Sequence, residues 1–382
     1  MHLVDTTLFY SPTSGGVKRY LTAKHAWLAA NTSWEHTIVV PGREDQFERG
    51  GLCTLAGYPV PASFNYRLPL NPRRWKRVLD ALEPTLIEAG DAFHPAWCAW
   101  HVAQRRGIPV AGFYHSNVSR IIGGRIGSAI AEPVVGRYVR HLYERFDALF
   151  APSRGMCEYL RDLGLPRVIH QPLGVDPEVF DPSRRSATLR RRLGLPPDAR
   201  VLVYAGRLSP EKNLPVLLQA FALLGRPYHL LLIGGKRRAR PAHNVTMVPY
   251  RRDSVELARW IASADALVHA GTKETFGLVI LEAMACGRPV VAARAGAFPE
   301  FVDERVGGLA EPNSAAGMAE AIAALYQRDL EAIGAVARAR VLRQFTWARA
   351  FHGLFSAYAL LVGARRHPLL EGEILEAGSP SS

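Results

Sequence analysis

Short apolar, β-rich runs alternate with longer segments of helical period from one end of this chain to the other. In the first half the runs are His2–Thr6, His36–Val40, Thr85–Glu88, Pro109–Tyr114, Ala148–Ala151 and Val168–Gln171. In the second half they are Val201–Ala205, His229–Ile233, Val245–Val248, Ala266–Val268 and Pro289–Ala292. Short continuous apolar runs suit strands buried on both faces. Helices are expected to open near Val17, Pro72, Pro95 and Ser153, then over Leu214–Leu223, Val255–Ser263, Leu278–Cys286 and Ala315–Tyr326. The first of these puts Val17, Tyr20, Leu21 and Leu28 on one face. A crossover helix between successive strands makes them parallel, with helices on both faces of the sheet. The fold class is therefore α/β, doubly wound, and no fixed-period repeat competes with that reading.

The chain has 382 residues, and at about 100–200 residues per domain that is a prior for two domains. The best boundary is Gly174–Asp198, which holds Pro177, Pro182, Pro196 and Pro197 and the basic triplet Arg190–Arg191–Arg192. Proline-punctuated chain between two alternating blocks reads as an extended linker. The domains are then 1–176 and 177–350, with a polar tail over 371–382. Ligands of such folds bind at the carboxyl ends of the strands, so the site is expected between the two halves.

Charge narrows the partner class. Lys and Arg total 47 against 34 Asp and Glu, a formal net charge of +13. That points to an anionic partner: nucleic acid, anionic membrane or a phosphorylated small molecule. The excess divides almost evenly, +6 over residues 1–170 and +7 over 171–382, so no basic arm stands out. The four cysteines form no CxxC pair and have no histidine at zinc spacing, which argues against a disulfide framework or structural zinc. Met1 leads straight into HLVDTTLF, so no signal peptide is expected and the location expected is cytoplasmic. No uncharged apolar run reaches membrane-spanning length.

Four segments carry chemistry. The first runs from Glu274 through Phe276, Gly277 and Leu278 to Glu282. Gly277–Leu278 opens a helix, whose free N–H groups and dipole attract an anion. Carboxylates beside an anion site suit a ligand with a phosphate in the middle and hydroxyls at both ends. The bland alternative is a helix-start charge and a solvated helix-face charge. The second is Gly206-Arg207-Leu-Ser-Pro-Glu-Lys212, on a strand-to-helix loop. Two cations there can both face a diphosphate, Arg as a fork and Lys as a point charge. The third is Gly15-Gly16, opening the first helix, where backbone can approach a ligand. It is neither GxGxxG nor a P-loop. The fourth is His115, with Asn117, just past the strand ending at Tyr114. A structural histidine and a helix cap are the plain alternatives for these last two.

Taken in order, these segments resemble the retaining glycosyltransferases of family 4, which have the GT-B fold. Pro172-Leu-Gly-Val-Asp176 resembles the hinge segment of that family, with Leu173 where Asn is common, and Phe345-Thr-Trp347 resembles its C-terminal helix start. The resemblance implies two Rossmann-like domains facing a central cleft. A helix at about 350–370 would pack back on the first domain. It implies that Arg207 and Lys212 bind the donor diphosphate and neutralise the departing nucleoside diphosphate. Glu282 would hold the ribose and Glu274 the transferred sugar. Backbone N–H groups of Phe276, Gly277 and Leu278 would help, and Gly15 and Gly16 would close on the diphosphate. His115 would stand near acceptor and anomeric carbon, Asn117 beside the acceptor, and the nucleobase near Val248–Arg251. No metal is expected, and the nucleotide sugar is a co-substrate rather than a cofactor. The family retains anomeric configuration, so no side-chain nucleophile is named.

The acceptor could be a lipid of glycolipid or diacylglycerol type, or a saccharide. The stretch from Arg120 to Arg140 mixes aliphatics and arginines as an interfacial helix on anionic lipid would, although Pro133 and glycines interrupt it. Basic clusters at Pro72–Arg77, Arg137–Arg145 and Lys236–Arg240 could add membrane attraction. Rival readings are a nucleotide-sugar epimerase, a phosphorylase, a non-catalytic scaffold and a nucleic-acid-binding protein. No lysine lies in a recognisable pyridoxal-phosphate context, and no RNP, zinc-finger or basic-zipper pattern occurs.

Overall fold

The computed structural model describes residues 1–11, 15–61, 65–118, 128–235 and 239–366. It divides into two compact units: Met1–Pro172 with the chain from Ala350 onward, and Leu173–Arg349.

The first unit is built on β1 (His2–Thr6), β2 (Glu35–Gly42), β3 (Leu52–Ala56), the hairpin β4 (Tyr58–Pro59) and β5 (Arg67–Leu68), then β6 (Leu86–Ala89), β7 (Val110–Phe113), β8 (Ala148–Ala151) and β9 (Val168–His170). Its seven-stranded sheet has the order β3-β2-β1-β6-β7-β8-β9. Every pair in it is parallel. The order reverses between β1 and β6, which makes their carboxyl ends the ligand-binding switch point. Helices α1 (Gly16–Asn31), α2 (Pro72–Ala81), α3 (His94–Arg106), α4 (Ser128–Tyr143) and α5 (Arg154–Asp162) cross over between the strands. One core gathers Val4, Ile87, Val110 and Leu149 of the sheet with Trp75, Leu79, Val102 and Leu160 of the helices. On α1, Tyr20, Leu21, Lys24 and Leu28 are buried. The C-terminal helix Trp347–Arg366 supplies Phe351, Leu354, Phe355 and Tyr358 as further buried side chains. Trp27 of α1 lies 5.2 Å, ring to ring, from Phe355.

The second unit repeats the plan with β10 (Arg200–Ala205), β11 (Tyr228–Gly235), β12 (Ala239–Ala242), β13 (Val245–Pro249), β14 (Ala266–His269), β15 (Val290–Ala293) and β16 (Gly307–Ala310). The order is β12-β13-β11-β10-β14-β15-β16. All pairs are parallel except β12 with β13 at the edge. Its helices include α6 (Ala187–Arg192), α7 (Leu214–Leu224), α8 (Ser254–Ala262) and α9 (Leu278–Ala285). Its switch point lies between β10 and β14.

Several expectations are corrected. The proline-rich segment is not a bare extended linker. It contains α6, whose Leu189 is buried, as is Leu193 just after it. Arg190 reaches the carbonyls of Ser263 and Ala199 and pairs with Asp265, so the basic triplet is partly structural. The division between units falls at Pro172/Leu173, and the segment belongs to the second. Strands β3 and β16 were not expected. Both are short and partly Gly- or Ala-bearing, and their pairing with β2 and β15 makes them strands. Pro133 does not break α4. It sits in the second turn, where the missing N–H forgoes a single main-chain bond. Val135, Val139 and Leu142 are buried, while Arg137 and Arg140 are exposed. The stretch 119–127, and Lys236 with its two neighbours, lie outside the described residues.

Candidate active site

The second unit brings three predicted residues together at its switch point. Strand β10 delivers the loop Gly206–Asn213, and a single 3-10 turn, Pro210–Lys212, sets Lys212. Strand β14 delivers the loop that carries Glu274. Lys212 Nζ forms an ion pair with Glu274 Oε1, and each side chain is 14% exposed. Arg207 reaches Glu211 Oε1 at 3.6 Å. The Tyr204 hydroxyl donates to the Arg207 carbonyl at 2.7 Å and so pins the loop.

His269, the last residue of β14, joins this group and was not predicted. Its Nε2 lies 3.6 Å from Glu274 Oε1. Its Nδ1 accepts the backbone N–H of Gly271 at 3.0 Å, which leaves the ring proton on Nε2, facing the carboxylate. Burial pushes the His269 imidazole down to about 4, so it is neutral at ordinary pH. Burial raises Glu274, but Lys212, His269 and Arg207 outweigh it and hold the carboxyl below its usual range. A histidine closing a strand at the ligand edge was legible by the argument already applied to His115.

Two glycines shape the loops. Gly234, next to last in β11, approaches Gly206 so closely that a Cβ there would stand 1.9 Å from the Gly206 carbonyl oxygen. Gly277 has φ +89°, a left-handed turn that leads into α9, and a Cβ would strike the Phe298 ring at 2.7 Å. Phe276 is buried against Phe301, with ring centroids 4.7 Å apart. Leu278 begins α9, and Glu282, in its second turn, is buried. The solvated-face alternative for Glu282 therefore fails, and neither glutamate of the pair is a surface charge. Val248 and Arg251 line a cavity of about 310 Å³ with Trp260 and Glu256. The Arg251 guanidinium lies 5.1 Å from the Trp260 ring and 3.1 Å from Glu256.

In the first unit, Gly15 precedes α1, and among the described residues a Cβ added there would meet nothing within 4 Å beyond its own chain neighbours. Gly16 is the first residue of α1. His115 lies just beyond β7, and both it and Asn117 are buried. Its ring stacks on Phe113 at 4.1 Å and meets Tyr20 edge-on at 4.7 Å. Burial, helped by Lys24, pushes His115 down to about 3, so it too is neutral. Asp91, after β6, ties both switch-point loops. It accepts the Thr7 hydroxyl at 2.8 Å and the N–H groups of Leu8 and Phe93 at 2.5 and 3.0 Å.

Two cations, a carboxylate and a neutral histidine at the carboxyl ends of β10 and β14 can hold a phosphorylated, polyhydroxylated ligand. Among the described residues no group of histidines, cysteines and carboxylates could hold a metal ion.

Residues 14–179 match the family described as Glycosyltransferase Family 4, and residues 199–328 match Glycosyl transferases group 1. A GDP-mannose-dependent alpha-(1-6)-phosphatidylinositol dimannoside mannosyltransferase of Mycobacterium tuberculosis is 28% identical over 380 residues, covering 96% of this chain and 98% of the relative. A GDP-mannose-dependent alpha-mannosyltransferase of Mycolicibacterium smegmatis is 30% identical over 305 residues, covering 78% and 80%. Among solved structures, a sucrose-phosphate synthase from Thermosynechococcus elongatus aligns at TM-score 0.80 with 22% identity, over 95% and 99% of the two chains. Anabaena HepE in complex with UDP and glucose aligns at 0.73 with 20% identity, over 94% and 99%. At that identity the two structures share the fold with this chain.

Proposed function

Because the chain belongs to glycosyltransferase family 4, we propose that it transfers mannose from GDP-mannose to a hydroxyl of a glycolipid, with retention of anomeric configuration. The observation that carries the reading is the Lys212–Glu274 pair beside neutral His269 at the second switch point. The donor and acceptor class draw support from the mannosyltransferase relatives, one of which spans nearly the whole chain.

In this reading the donor divides the ion pair between its own two ends. The diphosphate takes Lys212 and Arg207, and the sugar hydroxyls take the Glu274 carboxylate. The acceptor oxygen bonds to the anomeric carbon as the bond from that carbon to the phosphate oxygen breaks. The acceptor proton passes to the leaving diphosphate on the same face. Charge builds on that diphosphate, and Arg207 and Lys212 stand fixed to meet it, with no metal required. Glu282 serves the ribose, the cavity at Val248 and Arg251 the base, and the N–H groups of Phe276, Gly277 and Leu278 the sugar and phosphate. Gly15 and Gly16 leave room for the diphosphate. Neutral His115 offers a hydrogen bond beside the transferred sugar, and Asn117 one to the acceptor.

Acceptor-dependent release of GDP from GDP-mannose, with a phosphatidylinositol mannoside as acceptor, tests this. Release only when both are present supports it. Release from UDP-sugars alone would move the donor assignment, and no release from any nucleotide sugar would overturn the reading.

A further inference from the structure

The first unit holds a buried polar cluster that the transfer chemistry does not touch. Asp5 on β1, Lys24 on α1 and Glu88 on β6 are each at most 1% exposed. Asp5 and Glu88 are register partners on adjacent strands, so their side chains leave the same face of the sheet. Lys24 Nζ lies 2.9 Å from Asp5 Oδ1 and 3.1 Å from Glu88 Oε2, and it donates to the Tyr358 hydroxyl at 3.2 Å. His36 Nε2 lies 2.7 Å from Asp5 Oδ2. The Tyr20 hydroxyl donates to Glu88 Oε1 at 3.1 Å. Charged groups are costly to bury, and well-packed apolar residues commonly stabilise a core equally well. Stability alone therefore does not account for the cluster. Its outer member leads to His115: the Tyr20 ring meets the His115 imidazole edge-on at 4.7 Å and also packs 5.0 Å from the Phe113 ring on which the imidazole stacks.

We propose that Glu88 is a positioning residue for His115: its carboxyl fixes the Tyr20 hydroxyl, and the Tyr20 ring, packed against both His115 and Phe113, sets the place of the imidazole. The proposal rests on the reading of His115 as the group beside the transferred sugar.

The protonation states give this arrangement a pH dependence. Burial raises Glu88, Lys24 pulls it back and Asp5 raises it again, leaving it at about 8. Burial also raises Asp5, but Lys24 and His36 outweigh it and hold Asp5 below the usual carboxylate range. At neutral pH Asp5 is ionised and Glu88 keeps its proton. The groups that face Glu88 are Asp5 from β1, Lys24 and Tyr20 from α1, and Tyr358 from the C-terminal helix through Lys24. His36 on β2 and His115 past β7 stand one step further. When Glu88 ionises, its hydrogen bond with Asp5 becomes a repulsion between like charges. The carboxyl that holds Tyr20 then shifts, and His115 with it.

The test is kcat and KM for the donor across pH in wild type, Glu88→Gln and Tyr20→Phe. Wild-type kcat is expected to fall with a midpoint near pH 8 while donor KM stays level. Glu88→Gln keeps a neutral hydrogen-bonding side chain and loses that fall. Tyr20→Phe keeps the ring, lowers kcat by roughly three- to tenfold and also loses the fall. Variants that retain the wild-type profile overturn the proposal, and Tyr20→Phe decides alone where Glu88→Gln does not fold. Histidine-labelled NMR of the full chain gives a readout independent of turnover. The imidazole signal missing from His115→Gln should move near pH 8 in wild type and stay fixed in Glu88→Gln. Active enzyme with a fixed His115 signal rejects the positioning role only; a moving signal without transfer from any donor rejects the proposed function only.

Discussion

Lys212 and Glu274 stand 62 residues apart and meet as an ion pair between two strand ends, largely shielded from water. Each was expected on separate grounds, one for a diphosphate and one for a sugar. In the proposed reading a donor inserts between them. Removing either partner leaves the other charge buried and the departing diphosphate poorly neutralised. Lys212→Ala and Glu274→Gln are each expected to lower kcat by roughly 10²–10³ with the fold intact. Steady-state kinetics alongside circular dichroism check this, and wild-type turnover in either variant would contradict the assignment.

The two buried neutral histidines make stability depend on pH. Their folded values, about 4 for His269 and about 3 for His115, lie below the unfolded value of 6.5. Between those limits the unfolded chain binds protons that the folded chain refuses. Stability is thus full above pH 6.5 and declines as pH falls towards 4. His269 alone contributes up to about 3 kcal/mol to that decline. Urea unfolding of wild type at pH 7 and at mild acid should show the loss, and His269→Gln should show less of it. An unchanged difference in the variant would refute the account.

Lys24 is the one group that pairs with both Asp5 and Glu88 among the described ion pairs. Lys24→Met strands the ionised Asp5, and a cost of about 3–5 kcal/mol is expected. Asp5→Leu added to Lys24→Met removes the stranded charge and should recover part of that loss. A double variant no more stable than the single one would contradict this view.

Membrane attraction is proposed for the positive charge outside the donor site. No described helix is long and apolar enough to cross a membrane. Arg73 and Arg77 on α2 and Arg137 and Arg140 on α4 are exposed, as are Tyr58, Leu68 and Leu70 near α2. Sedimentation with anionic vesicles should be stronger than with neutral ones and weaken with salt. Arg73→Gln with Arg77→Gln should weaken it further. Equal binding to both vesicle types, or none to either, would remove the membrane from this account.

The alternation of runs exposed both sheets because central parallel strands are apolar along their length. Edge strands such as β16, written Gly-Gly-Leu-Ala, carry no such mark and exist through pairing with a neighbour. The site was legible where a glycine, a cation or a carboxylate sits at a strand-to-helix loop. His269 was missed because β14 was expected to end one residue early. The cluster at Asp5, Lys24 and Glu88 was missed because its members are distant in sequence. A lone aspartate inside His2–Thr6 and a glutamate closing Leu86-Ile-Glu88 were the only local marks.

Transfer from a nucleotide sugar with retention is proposed to depend on Arg207, Lys212 and Glu274. The most direct measurement is NMR of the product formed from an α-linked donor, with nucleoside diphosphate counted in the same tube. Transfer with retention gives an α-glycoside of the acceptor and nucleoside diphosphate in equal amounts. A β-glycoside, or free sugar with no glycosylated acceptor, would contradict it.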